Sequence, residues 1–395
     1  MVEWKKLGDL GSFENIGVDK KIVDGEQLVT LLNYVDVYHN KNIDSSIPQM
    51  QVSAPEKKIQ ACTVEQGDIF VTPTSETIDD IGHSSIITET IPHAVYSYHI
   101  MRYRLFEKNM LLSYYINYTF DTYNIKQQIL KKAQGLTRFG LSKDKFASIL
   151  IPIPSHSEQQ RIVSILDTFT SSISNLKQQI EERRKQYEYE RDLLLDLEGK
   201  EGVEMKKLGE VVSSDCSLSY GIVQPGDDVI DGVPVVRPVD LISNYVKLDG
   251  LKKTERQISE SYKRTILKGN EILFCVRGTT GIMGLATNEL KGCNVTRGIV
   301  PISFDDELTK MFVYYQLKGF RLQKVIDEKT NGTALKQINI KDLRLLNLFF
   351  PPLSTQSRIV SILDTFEQSI ANLEEQLAMR EKQYEYYRNQ LLTFE

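Results

Sequence analysis

The sequence predicts an α+β fold: two globular domains separated by an antiparallel pair of long coiled-coil helices, with approximate two-fold symmetry. Three observations predict it. A long segment occurs twice almost unchanged, apolar residues within it recur at heptad spacing, and the segments between the copies read as mixed strands and helices that differ from each other.

The repeat organises the chain. RIVSILDTF runs from Arg161 to Phe169 and again from Arg358 to Phe366, an offset of 197. KQYEY recurs at the same offset, at Lys185–Tyr189 and Lys382–Tyr386. Ser157–Glu198 and Ser354–Glu395 share 26 identities in 42 positions without a gap. A shorter repeat opens each half, VEWKKLGDL from Val2 and VEMKKLGEV from Val203. The expected division is therefore 1–155, first variable domain; 156–199, first constant helix; 200–352, second variable domain; 353–395, second constant helix.

The constant segments read as helices. Ile162, Leu166, Phe169, Ile173, Leu176 and Ile180 step by 4, 3, 4, 3 and 4, a heptad seam that continues through Tyr187. The second copy places Ile359, Leu363, Phe366, Ile370 and Tyr384 on the same seam. Neither copy contains Gly or Pro, and prolines (Pro152, Pro154, Pro351, Pro352) precede both. Ser157 with Gln160 resembles a capping box. Two such seams in one chain pair most simply with each other. Antiparallel pairing gives approximate two-fold symmetry, puts the two domains at opposite ends and brings Glu395 near Val2, so that the chain is close to circular.

Between the helices, strands are expected at Leu28–Tyr38, Gly67–Pro73 and Ala94–Phe106, and a helix at Met110–Lys132. The second domain repeats the order, with strands at Gly232–Leu241, Asn270–Gly278 and Gly298–Phe304 and a helix at Leu308–Lys329. Each domain then carries a glycine-centred loop, Gln134–Lys143 and Asn331–Asn339, aligned at the 197 offset yet unlike in side chains. Basic and hydroxyl side chains beside glycine suit close approach to phosphates. The candidate binding residues here are Thr137, Arg138 and Lys143 in the first loop, and Thr333, Lys336 and Gln337 in the second. Another loop, Arg277–Gly284, offers Arg277, Thr279 and Thr280; its counterpart in the first domain, Thr72–Thr77, has no glycine and offers Thr72, Thr74 and Ser75. Tyr220 and Gln224 mark one more polar loop.

Composition bounds the function. The net charge of −5 looks wrong for a polyanion binder, but the excess acid lies mostly on the two helical segments; residues 203–352 sum to +3. No Asn/Asp-Pro-Pro-aromatic methyltransferase site and no GxxxxGK nucleotide loop occurs. Glu3-Trp4-Lys5 and Glu204-Met205-Lys206 have nuclease-like spacing without an acidic partner upstream, and their place in the opening repeat makes them structural. Five histidines and four scattered cysteines show no metal or disulfide spacing, so no metal site is expected. Without a membrane span or a leader, the cytoplasm is the expected location.

The layout resembles the specificity subunits of type I restriction–modification systems. The resemblance rests on the doubled proline-Gln-RIVxILD stretch (Pro152–Asp167 and Pro351–Asp364), the repeated VExKKLG start, GDI and NEIL before a polar loop, and RGTTGIMG. It implies two target-recognition domains that each read one half of a bipartite, asymmetric site in double-stranded DNA. It implies constant helices that space the readers and bind two modification subunits. S-adenosylmethionine then sits on those subunits, which methylate adenine, and ATP and Mg on a restriction subunit where one joins. The resemblance implies that this chain itself binds no cofactor and is a non-catalytic subunit. The alternative is a scaffold outside DNA biology, with two ligand-binding domains on a coiled coil. Steep salt dependence of DNA binding separates the two.

A gapless helical repeat predicts a ruler. Inserting one heptad adds about 10 Å, roughly three base pairs at ~3.4 Å each. The unread gap of the DNA site is expected to lengthen accordingly, measured by methylome mapping. An unchanged gap in an active, assembled variant would refute the ruler.

Overall fold

The computed structural model describes residues 2–332 and 336–394. Glu395, expected near Val2, and Thr333 lie outside the described residues. The chain divides into two compact units, Met1–Lys177 with Glu375–Glu395, and Gln178–Glu374. The long helices are His156–Leu194 and Leu353–Leu391, 39 residues each, or about 58 Å at the α-helical rise. Each unit contains one part of each helix.

Within each unit the two helical parts run antiparallel. In the first, the Phe169 ring stacks on Tyr387 at 5.4 Å and meets Tyr384 at 6.4 Å, while Lys177 pairs with Glu381 at 3.1 Å. In the second, Arg184 pairs with Glu374 at 2.5 Å and the Tyr187 hydroxyl donates to Glu367 at 2.9 Å. The seam is only partly helix against helix. Ile162 and Leu166 are fully buried in the core of the first unit, together with Tyr115, Tyr118 and Phe146. Ile359 and Leu363 occupy the equivalent place in the second, with Phe312 and Tyr315. Phe366 and Ile370 pack on the second core's edge, Tyr384 on the first's. Ile173 is half-buried.

The root of each helix is tied by repeated polar contacts. Buried Gln159 donates to Pro154 O at 2.9 Å, and buried Gln356 donates to Pro351 O at 2.7 Å. Tyr118 donates to Asp167 and Tyr315 to Asp364, partners again 197 apart. The expected cap at Ser157 is displaced: the helix begins at His156, and Ser155 Oγ accepts from Glu158 N.

The opening repeat is a strand. Glu3–Lys6 pairs antiparallel with Leu150–Ile153, and Glu204–Lys207 with Asn347–Phe350, in equivalent register. Trp4 faces Pro152, which lacks an N–H and therefore suits this two-stranded edge. Lys5 and Glu3 form only an exposed ion pair, as do Lys206 and Glu204.

The first unit adds a five-stranded sheet and a three-stranded one, the second two three-stranded sheets. In both, a central strand (Gln27–Leu32; Val233–Val236) has one antiparallel and one parallel neighbour. Several expected elements are shorter than predicted. The strand over Leu28–Tyr38 ends at Leu32, because Asn33 and Asp36 form a capping box that starts a helix, Tyr34–His39. The strand over Gly232–Leu241 ends at Val236 for the same reason, Asp240 capping a 3-10 turn at Pro238. Ala94–Phe106 is two strands, Ala94–Tyr96 and Met101–Leu105. Met110–Lys132 is two helices, the second capped by Thr122; Leu308–Lys329 breaks at Gly319, where Asp192 accepts from Phe320 N.

Removing the Tyr118 hydroxyl tests the tie at the helix root. Burial holds the Asp167 carboxyl above its ordinary pKa, and the Tyr118 bond pulls it back down. In Tyr118→Phe the carboxylate loses its donor, at an expected cost of about 1–2 kcal/mol in urea unfolding at neutral pH. A carboxyl whose folded-state pKa is raised binds its proton more tightly when folded. The cost should therefore shrink as pH falls through that raised pKa. A pH-independent loss would refute this account.

Candidate nucleic-acid interface

Each unit brings together loops that are distant in sequence. In the first, Thr74–Ser75 pairs antiparallel with Phe139–Gly140, and Leu141 N donates to Pro73 O at 2.9 Å. Gln134 and Gly140 exchange backbone bonds across the loop neck at 3.0 and 2.8 Å. Only glycine closes this loop: at Gly135, with φ +141°, a Cβ would lie 2.0 Å from Arg138 O. In the second unit, Arg277 bridges Gln337, Ile338 N donates to Val276 O at 3.0 Å, and Gly278 N donates to Lys336 O at 2.9 Å. Thr280 Oγ1 donates to the same oxygen at 3.3 Å. Matching these bonds puts Thr74 and Arg277 at one position of a shared frame, with different side chains.

A further pair of segments repeats. Val18 N donates to Tyr96 O, and Ile222 N to Val295 O, both at 2.8 Å. By this register Lys20 stands where the second unit has Gln224.

In the first unit these segments wall a cleft of about 570 Å³. Thr74, Ser75 and Arg138, candidates from the sequence, line it; so do Lys20, Tyr34, Tyr38, His39 and His99, which sequence reasoning did not single out. The tyrosines were hidden in a stretch read as a strand, and the signal that could have found them is the Asn33–Asp36 capping box. Tyr34 and Tyr38 stack at 5.8 Å, and the Tyr38 ring meets His83 at 4.4 Å. Burial lowers the pKa of His83 and His99. Lys20 and Arg138 bring positive charge to the cleft wall, with Glu76 and Asp80 opposing them. Hydrogen bonding to Thr77 holds the Asp80 carboxyl low.

Other predicted residues fall into distinct settings. Thr72 is fully buried, accepting from His83 N at 3.0 Å and donating to Asp80 O at 3.4 Å, so its side chain braces the loop from inside. Thr137 is exposed at the loop tip; Lys143 is exposed in the first turn of a short helix and does not line the cleft. Tyr220 is half-buried and its hydroxyl accepts from Ile340 N at 3.3 Å. Gln224 and Thr279 are exposed, and Arg277, Thr280 and Gln337 half-buried. Lys336 is exposed and pairs with Asp327 at 3.2 Å, a surface contact of little energetic weight.

Among the described residues no cluster of His, Cys, Asp or Glu is placed to hold a metal ion, and no helix is long and apolar enough to cross a membrane.

The chain is similar to known proteins along most of its length. It is 25% identical over 263 residues to the EcoBI type I restriction enzyme specificity subunit of Escherichia coli, covering 60% of this chain and 55% of that one. It is 29% identical over 279 residues to the EcoR124I/EcoR124II specificity subunit of the same organism, covering 67% and 66%. The chain thus spans less than two thirds of either relative. In structure, it matches the S subunit of a type I system from M. genitalium with a TM-score of 0.60 at 12% identity, over 100% of this chain and 97% of that one. A chain from a type I restriction–modification assembly matches with a TM-score of 0.54 at 18% identity, over 99% and 96%. These two matches show the fold. The family model for the type I restriction modification DNA specificity domain matches residues 1–183 and again residues 200–379. Because that match runs through both of the halves that the structure repeats, the chain belongs to the type I restriction–modification DNA specificity family.

Proposed function

We propose that this chain is the DNA-reading subunit of a type I restriction–modification complex, and that its two units recognise unlike half-sites of one bipartite, asymmetric DNA sequence. The observation that carries this is the repeated frame with unlike faces. Backbone bonds hold the same loops together in both units, while Thr74 and Lys20 in one correspond to Arg277 and Gln224 in the other. Identical frames serve a common geometry, and different side chains on them read different base edges. The constant helices bind two modification subunits, and a restriction subunit joins where the system has one. S-adenosylmethionine belongs to the modification subunits, ATP and Mg to the restriction subunit. The chain alone should transfer no methyl group from labelled S-adenosylmethionine to DNA, and methylation by the purified chain would overturn the proposal. Methylome maps of a host holding the modification partner, with and without this chain, should differ by one bipartite adenine-methylated motif.

The readers should also be separable. Lys336→Ala, Gln337→Ala and Arg277→Ala should each affect one half-site. Loss of Lys336 or Arg277, where it meets only phosphate, should weaken binding to every sequence and reduce the salt slope by about one unit. Loss of a side chain that meets a base edge should cost ~1–3 kcal/mol at one position. Binding arrays varied in both half-sites distinguish these outcomes, and a substitution that rewrites both half-sites would show that the units are not independent readers.

A further inference from the structure

Both units contain a third element beside the paired loops, and it has the same construction as they do. In each unit the central strand of one three-stranded sheet, Gln27–Leu32 or Val233–Val236, runs straight into a capped turn. In the first unit Asn33 N donates to Asp36 at 2.9 Å, and in the second Arg237 N donates to Asp240 at 2.8 Å. The residue that follows each strand-end carbonyl confirms the register: Ser97 N donates to Leu32 O, and Thr296 N to Val236 O. One inward residue anchors each turn, Val37 in the first unit and Leu241 in the second, both buried. In the register of the caps the outward residues differ at two of three places: Tyr34 corresponds to Pro238 and Tyr38 to Ile242, while Val35 and Val239 are alike.

The turn lies against the loops already described. In the first unit Tyr34 and Tyr38 share the cleft wall with Thr74, Ser75 and Arg138. In the second, a Cβ placed on Gly298 would meet Pro238 of the turn and Arg277 O of the loop, at 2.6 and 3.6 Å. Leu241 packs toward Gly284, in the strand Met283–Leu285 that follows the same glycine loop. Next to that contact, Ile242 is 89% exposed and Val239 69%. A single exposed aliphatic side chain is ordinary. Here two of them share a capped turn beside an arginine loop, and in the first unit's turn a tyrosine, Tyr38, takes the position of Ile242 and another, Tyr34, that of Pro238.

We propose that this capped turn is a specificity-determining element in each unit. Tyr34 and Tyr38 offer hydroxyls and ring edges to the first half-site, and Val239 and Ile242 make apolar contact with the second, where the thymine C5-methyl is the group such side chains distinguish. This rests on the reading of the chain as a DNA specificity subunit.

The test uses the full chain assembled with its modification subunits and a duplex library randomised in both half-sites. Tyr34→Phe/Tyr38→Phe should change base preference by about tenfold at one or two adjacent positions of the first half-site only. Val239→Ser/Ile242→Ser should do so in the second only. Where the second half-site prefers thymine at the affected position, deoxyuridine there should weaken the wild type and leave the Val239→Ser/Ile242→Ser variant unmoved. Thermal melting checks that each variant folds; the aliphatic pair is exposed and the tyrosine changes keep the rings. Wild-type profiles from folded variants, or a uniform loss across all sequences, would overturn the turn's role while leaving the parent reading intact. A wild-type assembly with no bipartite preference would overturn both.

Discussion

The burial of each long helix's first turns inside a globular core is the constraint on which the rest depends. A helix that served only as a coiled coil would present one apolar seam to its partner. Here Ile162 and Leu166, and likewise Ile359 and Leu363, are taken up by their own unit's core instead. Fully burying side chains of this size contributes roughly 1.5–3 kcal/mol each. The bonds from Gln159, Gln356, Tyr118 and Tyr315 then fix the direction in which the helix leaves. Fitting an apolar seam to two neighbours at once leaves little freedom for its sequence, which is a physical reason for RIVSILDTF to appear twice.

The strand formed by each opening repeat extends this constraint back to the start of the unit. It pairs with the strand that feeds the helix, so the entry and exit of each globular portion are stitched together. Everything between them is free to vary, provided the internal frame survives. That frame is largely backbone, through the loop bonds to Pro73 and Val276 and the bonds to Tyr96 and Val295; the two capped turns add one carboxylate each, Asp36 and Asp240. Backbone bonds do not depend on side-chain identity, so a scaffold built from them tolerates new faces.

The polar surroundings of the helix differ between the units. In the second, Lys318 reaches Glu367, Asn244 and the Tyr314 hydroxyl, and Tyr187 shares Glu367. At the same place in the first unit stand Asp121 and Thr170, and Asp121 pairs with Lys41 at 2.7 Å. Lys41 is so enclosed that burial lowers its pKa despite that partner. Pairing each carboxylate with a local cation offsets part of the desolvation cost on both sides, so the apolar seam is kept while its charged margin changes.

The sequence by itself determined the repeat, the two long helices and the order of strands and helices between them, because these follow from periodicities of seven, 3.6 and two that are local properties of the chain. It also singled out Thr74, Ser75, Arg138, Arg277 and Gln337 as loop residues, because glycine, hydroxyl and basic clusters mark loops. It misread Tyr34–Tyr38 and Pro238–Asp240 as the ends of strands, since β-branched and aromatic residues fit both states and the cap that decides between them is a single carboxylate three residues on. It offered Thr72 as a surface contact, although the fold turns that hydroxyl inward to His83 and Asp80. Only the tertiary structure decided which distant loops meet, that Lys20 corresponds to Gln224, and that the helix seams belong to the domain cores as much as to each other. Those are outcomes of pairing between segments tens of residues apart, where backbone bonds and buried contacts carry the information and no local pattern records it.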